Sequence, residues 1–205
     1  MSRFIRKTID YHEIIECISG ALDAKDPYTA GHSQRVSDMT LEILKKMPLA
    51  ASEIEEIHIA AHLHDIGKIG IADSILNKSG RLNKEEWEVM KKHPQIGADI
   101  LSRSEHLSDL KQIVLFHHER YDGKGYPMGL KGIEIPLGSR IIAVCDSIDA
   151  MTSSRSYRKA KNWGFCYEEI QKNLGKMYDP KIGKLVLENW EQIKNAAGNR
   201  RNPSY

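Results

Sequence analysis

Residues 57–68 read IHIAAHLHDIGK. Ile57, Ala61, His64 and Lys68 stand at i, i+4, i+7 and i+11, so on a helix they share one face. Ile57 and Ala61 mark that face as core-directed, and His64, Asp65 and Lys68 turn inward with it. An unpaired buried carboxylate costs several kcal/mol or shifts its pKa until it is neutral. Two readings resolve the conflict: His64 and Asp65 hydrogen-bond each other in the core, or both meet a cation. His58 and His62 lie well round the helix and need a separate explanation.

Helical periodicity extends outward from this stretch, and no run of alternation suggests a sheet. Ile14, Ile18, Ala21 and Leu22 form a stripe on a helix from Ile9 to about Lys25, ended by Asp26-Pro27. A second helix is expected from about Ala30 to Met47, and Ser52 with Glu55 resembles a capping box opening the helix that runs to Lys68. Further helices are expected at Asn83–Met90 with Asn83 as cap, after His93-Pro94, at Leu107–His118, at Ser139–Thr152, and at about Tyr167–Leu174 and Lys181–Asn195. The predicted fold is all-α, a compact helical domain with long loops at 71–82 and 119–138, where function often resides. Residues 1–25 lead into or join the domain, 26–196 form it, and 197–205 are a frayed tail.

Composition narrows the function classes. The chain has 205 residues, 40% hydrophobic and 28% charged, with a formal net charge of +2. That balance is ordinary for a single globular domain and gives no reason to expect a membrane or polymeric nucleic acid as partner. The longest wholly apolar runs are about five residues, against roughly 20 for a spanning helix, and the N-terminal segment turns polar too early for a secretory leader. Cys17, Cys145 and Cys166 are widely spaced with no CxxC, which suits a reducing cytoplasm. The unusual feature is nine unevenly distributed histidines.

Four further places could carry chemistry. Asp146 is embedded in the apolar run IIAVCDSIDAM beside the core stripe Ile141, Cys145 and Ile148, with Asp149 on the same edge. It reads either as a hydrogen-bonded core acid or as a ligand meeting Asp65. His93 precedes a proline suited to a first helical turn, yet histidine is not a preferred cap. His32 stands at a helix start. Residues 117–127 read HHERYDGKGYP; glycines and a proline force the helix to end there, so His117 and His118 can both reach one ion at the negative helix end. In order, H…HD…H…HH…D supplies five histidines and two aspartates, enough for two divalent metals sharing a carboxylate. Imidazole and carboxylate ligation without thiolate points to iron or manganese ahead of zinc, nickel or magnesium.

Taken together, HDIGK (64–68), HHERYDGKGYP (117–127) and DSIDAMTSSRSYR (146–158) resemble the HD-GYP family, a branch of the HD metal-dependent phosphohydrolases. The likeness runs from about Asp26 to Pro180. It implies an all-helical phosphodiesterase that cleaves cyclic di-GMP to linear pGpG, and on to GMP, by in-line attack of a hydroxide bridging the metals. It also implies a ligand partition: His32, His64, Asp65 and Asp146 on one metal, with Asp65 bridging to a second held by His93, His117 and His118. Lys68 matches the family's active-site lysine. Lys124, Tyr126, Arg155 and Tyr157 are the implied substrate contacts, and Arg120, Arg158 and Lys159 add to a basic rim.

The sequence departs from the family at two points. Three-metal members carry glutamate four residues before the first histidine; Tyr28 stands there, so two metals are expected. Ser156 replaces the proline of the RPY segment. His12, His58, His62 and His106 match no family position and are expected to be core or surface residues. The alternatives are a cyclic GMP-AMP phosphodiesterase and a catalytically weak cyclic-dinucleotide receptor. The implied partners, beyond a cyclic dinucleotide, are a separate sensory or receiver protein and a second copy in a homodimer.

Overall fold

In the computed structural model, residues 11–26, 31–154 and 159–198 are described. The layout is built outward from α2 (His32–Leu44), which buries Val36, Met39, Ile43 and Leu44 on the side that meets the core. On it pack α3 (Ala51–Leu63) and α8 (Leu137–Thr152), the latter burying Ile141, Cys145 and Ile148. α1 (Tyr11–Lys25) lies on α3, α7 (Lys111–Leu115) packs on α3 and α8, and α6 (His93–Leu101) packs on α7. Short helices α4 (Asp73–Leu76) and α5 (Lys84–Met90) flank the site, and α9 (Trp163–Lys172), α10 (Pro180–Glu188) and α11 (Trp190–Gly198) complete the bundle. Among the described residues no strand forms; only two isolated bridges occur, Asp122 with Lys131 and Leu174 with Tyr178.

Several helix limits differ from the sequence expectation, for identifiable reasons. α3 starts one residue before Ser52: Ala50 is the cap, and the Glu53 carboxylate accepts its N–H at 2.9 Å, so Ser52 and Glu55 form no box. α3 also stops at Leu63, and the chain tightens into a 3₁₀ segment over Ile66–Gly70. The expected helix Leu107–His118 is a 3₁₀ turn followed by the five-residue α7, so the paired histidines lie beyond its end. The expected last helix is two, broken at Asn189, whose side-chain amide donates to the Leu185 carbonyl at 2.8 Å and competes with the backbone there. On α1 the buried face is Ile15, Ser19 and Leu22, whereas Ile14 is exposed. Asn83 does cap α5, in a reciprocal box with Glu86.

One close approach fixes the site. A Cβ on Gly67 would stand 1.8 Å from the His93 carbonyl oxygen and 2.5 Å from the Gly97 nitrogen. Only glycine at 67 lets the 3₁₀ segment lie against the start of α6. That contact brings His64-Asp65 and His93, 28 positions apart at Asp65, into one cluster.

Candidate metal centre

Each candidate ligand except Asp146 sits where an element begins or just past where one ends. His32 opens α2 after Gly31, whose φ of 70° favours glycine and whose N–H donates to Asp23 at 2.7 Å. His64 and Asp65 occupy the break between α3 and the 3₁₀ segment, and His93 is the first residue of α6. His117 and His118 follow α7 in a turn, free of helical register. Asp146 projects from the middle of α8.

The imidazoles are oriented by what holds their far side. His64, His93 and His117 each donate Nδ1–H to the carbonyl three residues earlier: Ala61 at 2.7 Å, Met90 at 2.8 Å and Val114 at 2.6 Å. His32 Nδ1 lies 2.7 Å from Asp149. A carbonyl only accepts, so Nδ1 carries the proton and Nε2 keeps its lone pair, the usual arrangement behind a metal-binding imidazole. All four Nε2 atoms converge. His32 Nε2 is 3.2 Å from His64 Nε2, and His93 Nε2 is 3.4 Å from His117 Nε2. Two ligands about 2.1 Å from a shared cation stand about 3.0–3.4 Å apart, the spacing of both pairs.

Asp65 divides between the two halves. Its Oδ2 faces His32 at 3.6 Å and His64 at 3.5 Å; its Oδ1 faces His93 at 3.3 Å and His117 at 3.9 Å. Asp146 Oδ1 adds to the first half, 3.4 Å from His32 Nε2. The donor atoms fall into two groups, one of His32, His64 and Asp146 and the other of Asp65, His93, His117 and His118. Such a set fits a pair of divalent cations: imidazole nitrogens and two carboxylates, one of them with an oxygen toward each half.

The electrostatics agree with that fit. Burial holds His64, His117 and His118 below the ordinary histidine range, so they stay neutral. Burial by itself would raise Asp65, but Lys68, His64 and His93 outweigh it and hold the carboxyl well below the usual range. Burial also opposes the charge on Lys68, and Asp65 and Asp26 overcome it and raise the ammonium. Lys68 Nζ lies 2.6 Å from Asp65 Oδ2 and 3.7 Å from Asp26.

A cavity of about 520 Å³ opens onto this cluster, lined among others by Lys68, Lys78, Arg81, Trp87 and Tyr126. The loop that supplies Tyr126 is anchored by buried Glu119, which accepts from the Met128 and Gly129 N–H groups at 2.7 and 2.9 Å. The Tyr126–Pro127 peptide is cis. The Tyr126 ring packs 4.8 Å from that of His118 and edge-on to Trp87 at 6.1 Å. Lys124 is exposed and does not line the cavity, and Arg120 is paired with Asp122 at 2.8 Å. Arg155, Tyr157, Arg158 and Tyr28 lie outside the described residues. Sequence reasoning missed Asp149, which holds His32 and also binds Arg35. Its spacing of three from Asp146 was the available signal. Trp87, Arg81 and Asp26 were missed as well, having no pattern of their own. His12, His58 and His62 form a separate group on α1 and α3.

The sequence profile of the HD domain family matches residues 16–182. The chain belongs to the HD domain family. Its HHERYDGKGYP segment places it in the HD-GYP branch. It is 43% identical over 183 residues to a cyclic di-GMP phosphodiesterase of Thermotoga maritima, covering 88% of this chain and 50% of that protein. It is 38% identical over 183 residues to the 3′3′-cGAMP-specific phosphodiesterase 2 of Vibrio cholerae, covering 88% of this chain and 35% of that protein. Among solved structures, a cyclic GMP-AMP-specific phosphodiesterase of V. cholerae superposes with a TM-score of 0.70 at 20% identity, over 90% of this chain and 50% of that one. The chain thus spans half or less of the length of these relatives. None of the helices among the described residues is long and apolar enough to cross a membrane.

Proposed function

We propose that this HD-GYP domain hydrolyses cyclic di-GMP to the linear dinucleotide at a dinuclear centre, in the cytoplasm, where that messenger acts. One observation carries the reading: Asp65 turns one oxygen toward His32 and His64 and the other toward His93 and His117, beneath a cavity. His32, His64, Asp65 and Asp146 would hold one divalent ion, and Asp65, His93, His117 and His118 the other, with iron or manganese favoured by the ligand set. Bound there, the pair supplies Lewis acidity and charge neutralisation for in-line displacement at phosphorus.

The chain's own groups supply the rest. Lys68 holds a cation at the cluster edge, where it offsets negative charge on the phosphate and the departing 3′ oxygen. Burial keeps the Tyr126 phenol protonated far above neutrality, leaving it a hydrogen-bond donor toward a phosphate oxygen. Trp87, 44% exposed and facing the cavity, offers a ring on which a guanine can stack. Lys78 and Arg81 place positive charge at the mouth, and the cavity volume falls within the roughly 300–1,000 Å³ of small-ligand sites.

The resemblance to a 3′3′-cGAMP-specific relative at 38% identity supports a second reading, in which cyclic GMP-AMP is the preferred substrate. The test is hydrolysis of both dinucleotides by the chain loaded anaerobically with Fe(II) or Mn(II), with Asp65→Ala as control. Faster, Asp65-dependent cleavage of cyclic di-GMP supports the first reading, and preference for cyclic GMP-AMP supports the second. Binding without cleavage would overturn both and make the domain a receptor.

A further inference from the structure

The remaining histidine group lies away from this cavity. α1 presents His12 and Glu16, and α3 presents His58 and His62, in each case four residues apart and so on one helix face. The three rings have centroids 5.4 Å (His12–His58), 5.1 Å (His12–His62) and 4.9 Å (His58–His62) apart. One ring nitrogen from each lies within 4.8 Å of the others, and Glu16 Oε1 stands 3.5 Å from His12 Nδ1. His62 is fully buried, whereas His12 and Glu16 are half-exposed, so the group is reachable from solvent.

Three imidazoles meeting across a helix pair are poor packing material. Each carries polar nitrogens that cost free energy when buried without partners. Among the described residues, His58 Nε2 is buried and has no hydrogen-bond partner. Burial, reinforced by His12 and Lys45, lowers His58 to about 4, so its ring is neutral and keeps a lone pair at neutral pH. The opposing charge of Lys45 is directed to Glu42 at 2.7 Å. None of these four residues takes part in the Asp65 cluster. His62 is two positions before His64, which turns it roughly 200° round the helix.

We propose that His12, His58 and His62 form a second, separate site for a divalent transition metal of the zinc class, clamping α1 onto α3, with Glu16 beside His12 as the carboxylate that would turn in to complete it. Three histidines with one carboxylate and no thiolate suit Zn(II) in tetrahedral coordination, and bringing the ring nitrogens to ligand spacing needs shifts of about 1 Å, within reach of side-chain rotation. The metal would tie α1 to the helix that leads into His64-Asp65, next to the existing bond from Ser19 Oγ to the His62 carbonyl at 3.1 Å. Because its ligands meet only in the folded chain, the metal would stabilise that state.

The test is zinc content. The full chain is stripped of metal, exposed to excess Zn(II), freed of loose metal and assayed for zinc per chain, alongside His12→Ala and His58→Gln. His12 is half-exposed, so His12→Ala does not put the fold at risk; an unchanged Mn(II) content confirms an intact Asp65 cluster. The expected result is one zinc fewer per chain in each variant than in the parent. In an Asp65→Ala background, Zn(II) should still raise the unfolding temperature, and His12→Ala should remove that rise. Equal zinc content in parent and both variants would overturn the proposal. The difference is read between variants, so it stands whether or not the chain hydrolyses cyclic di-GMP.

Discussion

Gly67→Ala should separate the two halves of the candidate metal centre. The added Cβ would stand 1.8 Å from the His93 carbonyl oxygen and 2.5 Å from the Gly97 nitrogen, both main-chain atoms that no rotamer change can move aside. Reaching ordinary contact at 3.4 Å requires the 3₁₀ segment and the start of α6 to part by about 1.5 Å. Overpacking of this kind costs about 3 kcal/mol, equivalent to a fall in Tm of roughly 6–12 °C for a chain of this size. The same displacement acts on the 3.3 Å approach of His93 Nε2 to Asp65 Oδ1, and a misplacement near 1 Å lowers turnover about 10²-fold. The assay is thermal unfolding together with metal content and dinucleotide hydrolysis. Gly20→Ala is the control, because a Cβ there meets nothing within 4 Å. A Gly67→Ala chain that melts with its parent and turns over at the parental rate would refute the role given to this contact.

Three further outcomes are expected. Asp149→Asn, which weakens the hold on His32 Nδ1, should lower metal affinity about 10–100-fold, read by competition with a chelator. Lys68→Ala should leave metal content unchanged and slow hydrolysis by about 10²-fold; full activity in that variant would remove Lys68 from the mechanism. Trp87→Ala should raise KM for the cyclic dinucleotide about tenfold, as the loss of one base-stacking surface predicts, with kcat little altered.

The helices and the residues brought together at the centre were legible because both follow from local rules. Ile57, Ala61 and His64 announce their face by period, and Asp146 stands out because a charge interrupts IIAVC. Helix ends were less legible where tertiary contacts decide them. α3 gives way to a 3₁₀ segment so that Asp65 can face both histidine pairs, which no capping residue signals. On α1, Ile18 and Leu22 face the core as read, but Ile15 takes the inward place expected of Ile14, because the two are adjacent and only packing on α3 chooses between them. Asp149 was visible as a spacing but not as the partner of His32, since that contact spans 117 positions. The cavity wall contributed by Trp87 and Arg81 follows from where α5 docks. His12 meets His58 and His62 for a similar reason: the α1–α3 contact is long-range.

The central claim is that one carboxylate serves two metals, and manganese tests it most directly. Mn(II) binds imidazole ligands more weakly than Zn(II) does, so the count after loading reports mainly on the Asp65 cluster with its two carboxylates. The measurement is Mn(II) per chain together with the electron paramagnetic resonance spectrum, for the parent and for Asp65→Ala. The account predicts about two Mn(II) per chain with an exchange-coupled spectrum, and in Asp65→Ala loss of the coupled signal and of bound metal together. A single uncoupled Mn(II) in the parent, or a coupled pair that survives Asp65→Ala, would contradict it.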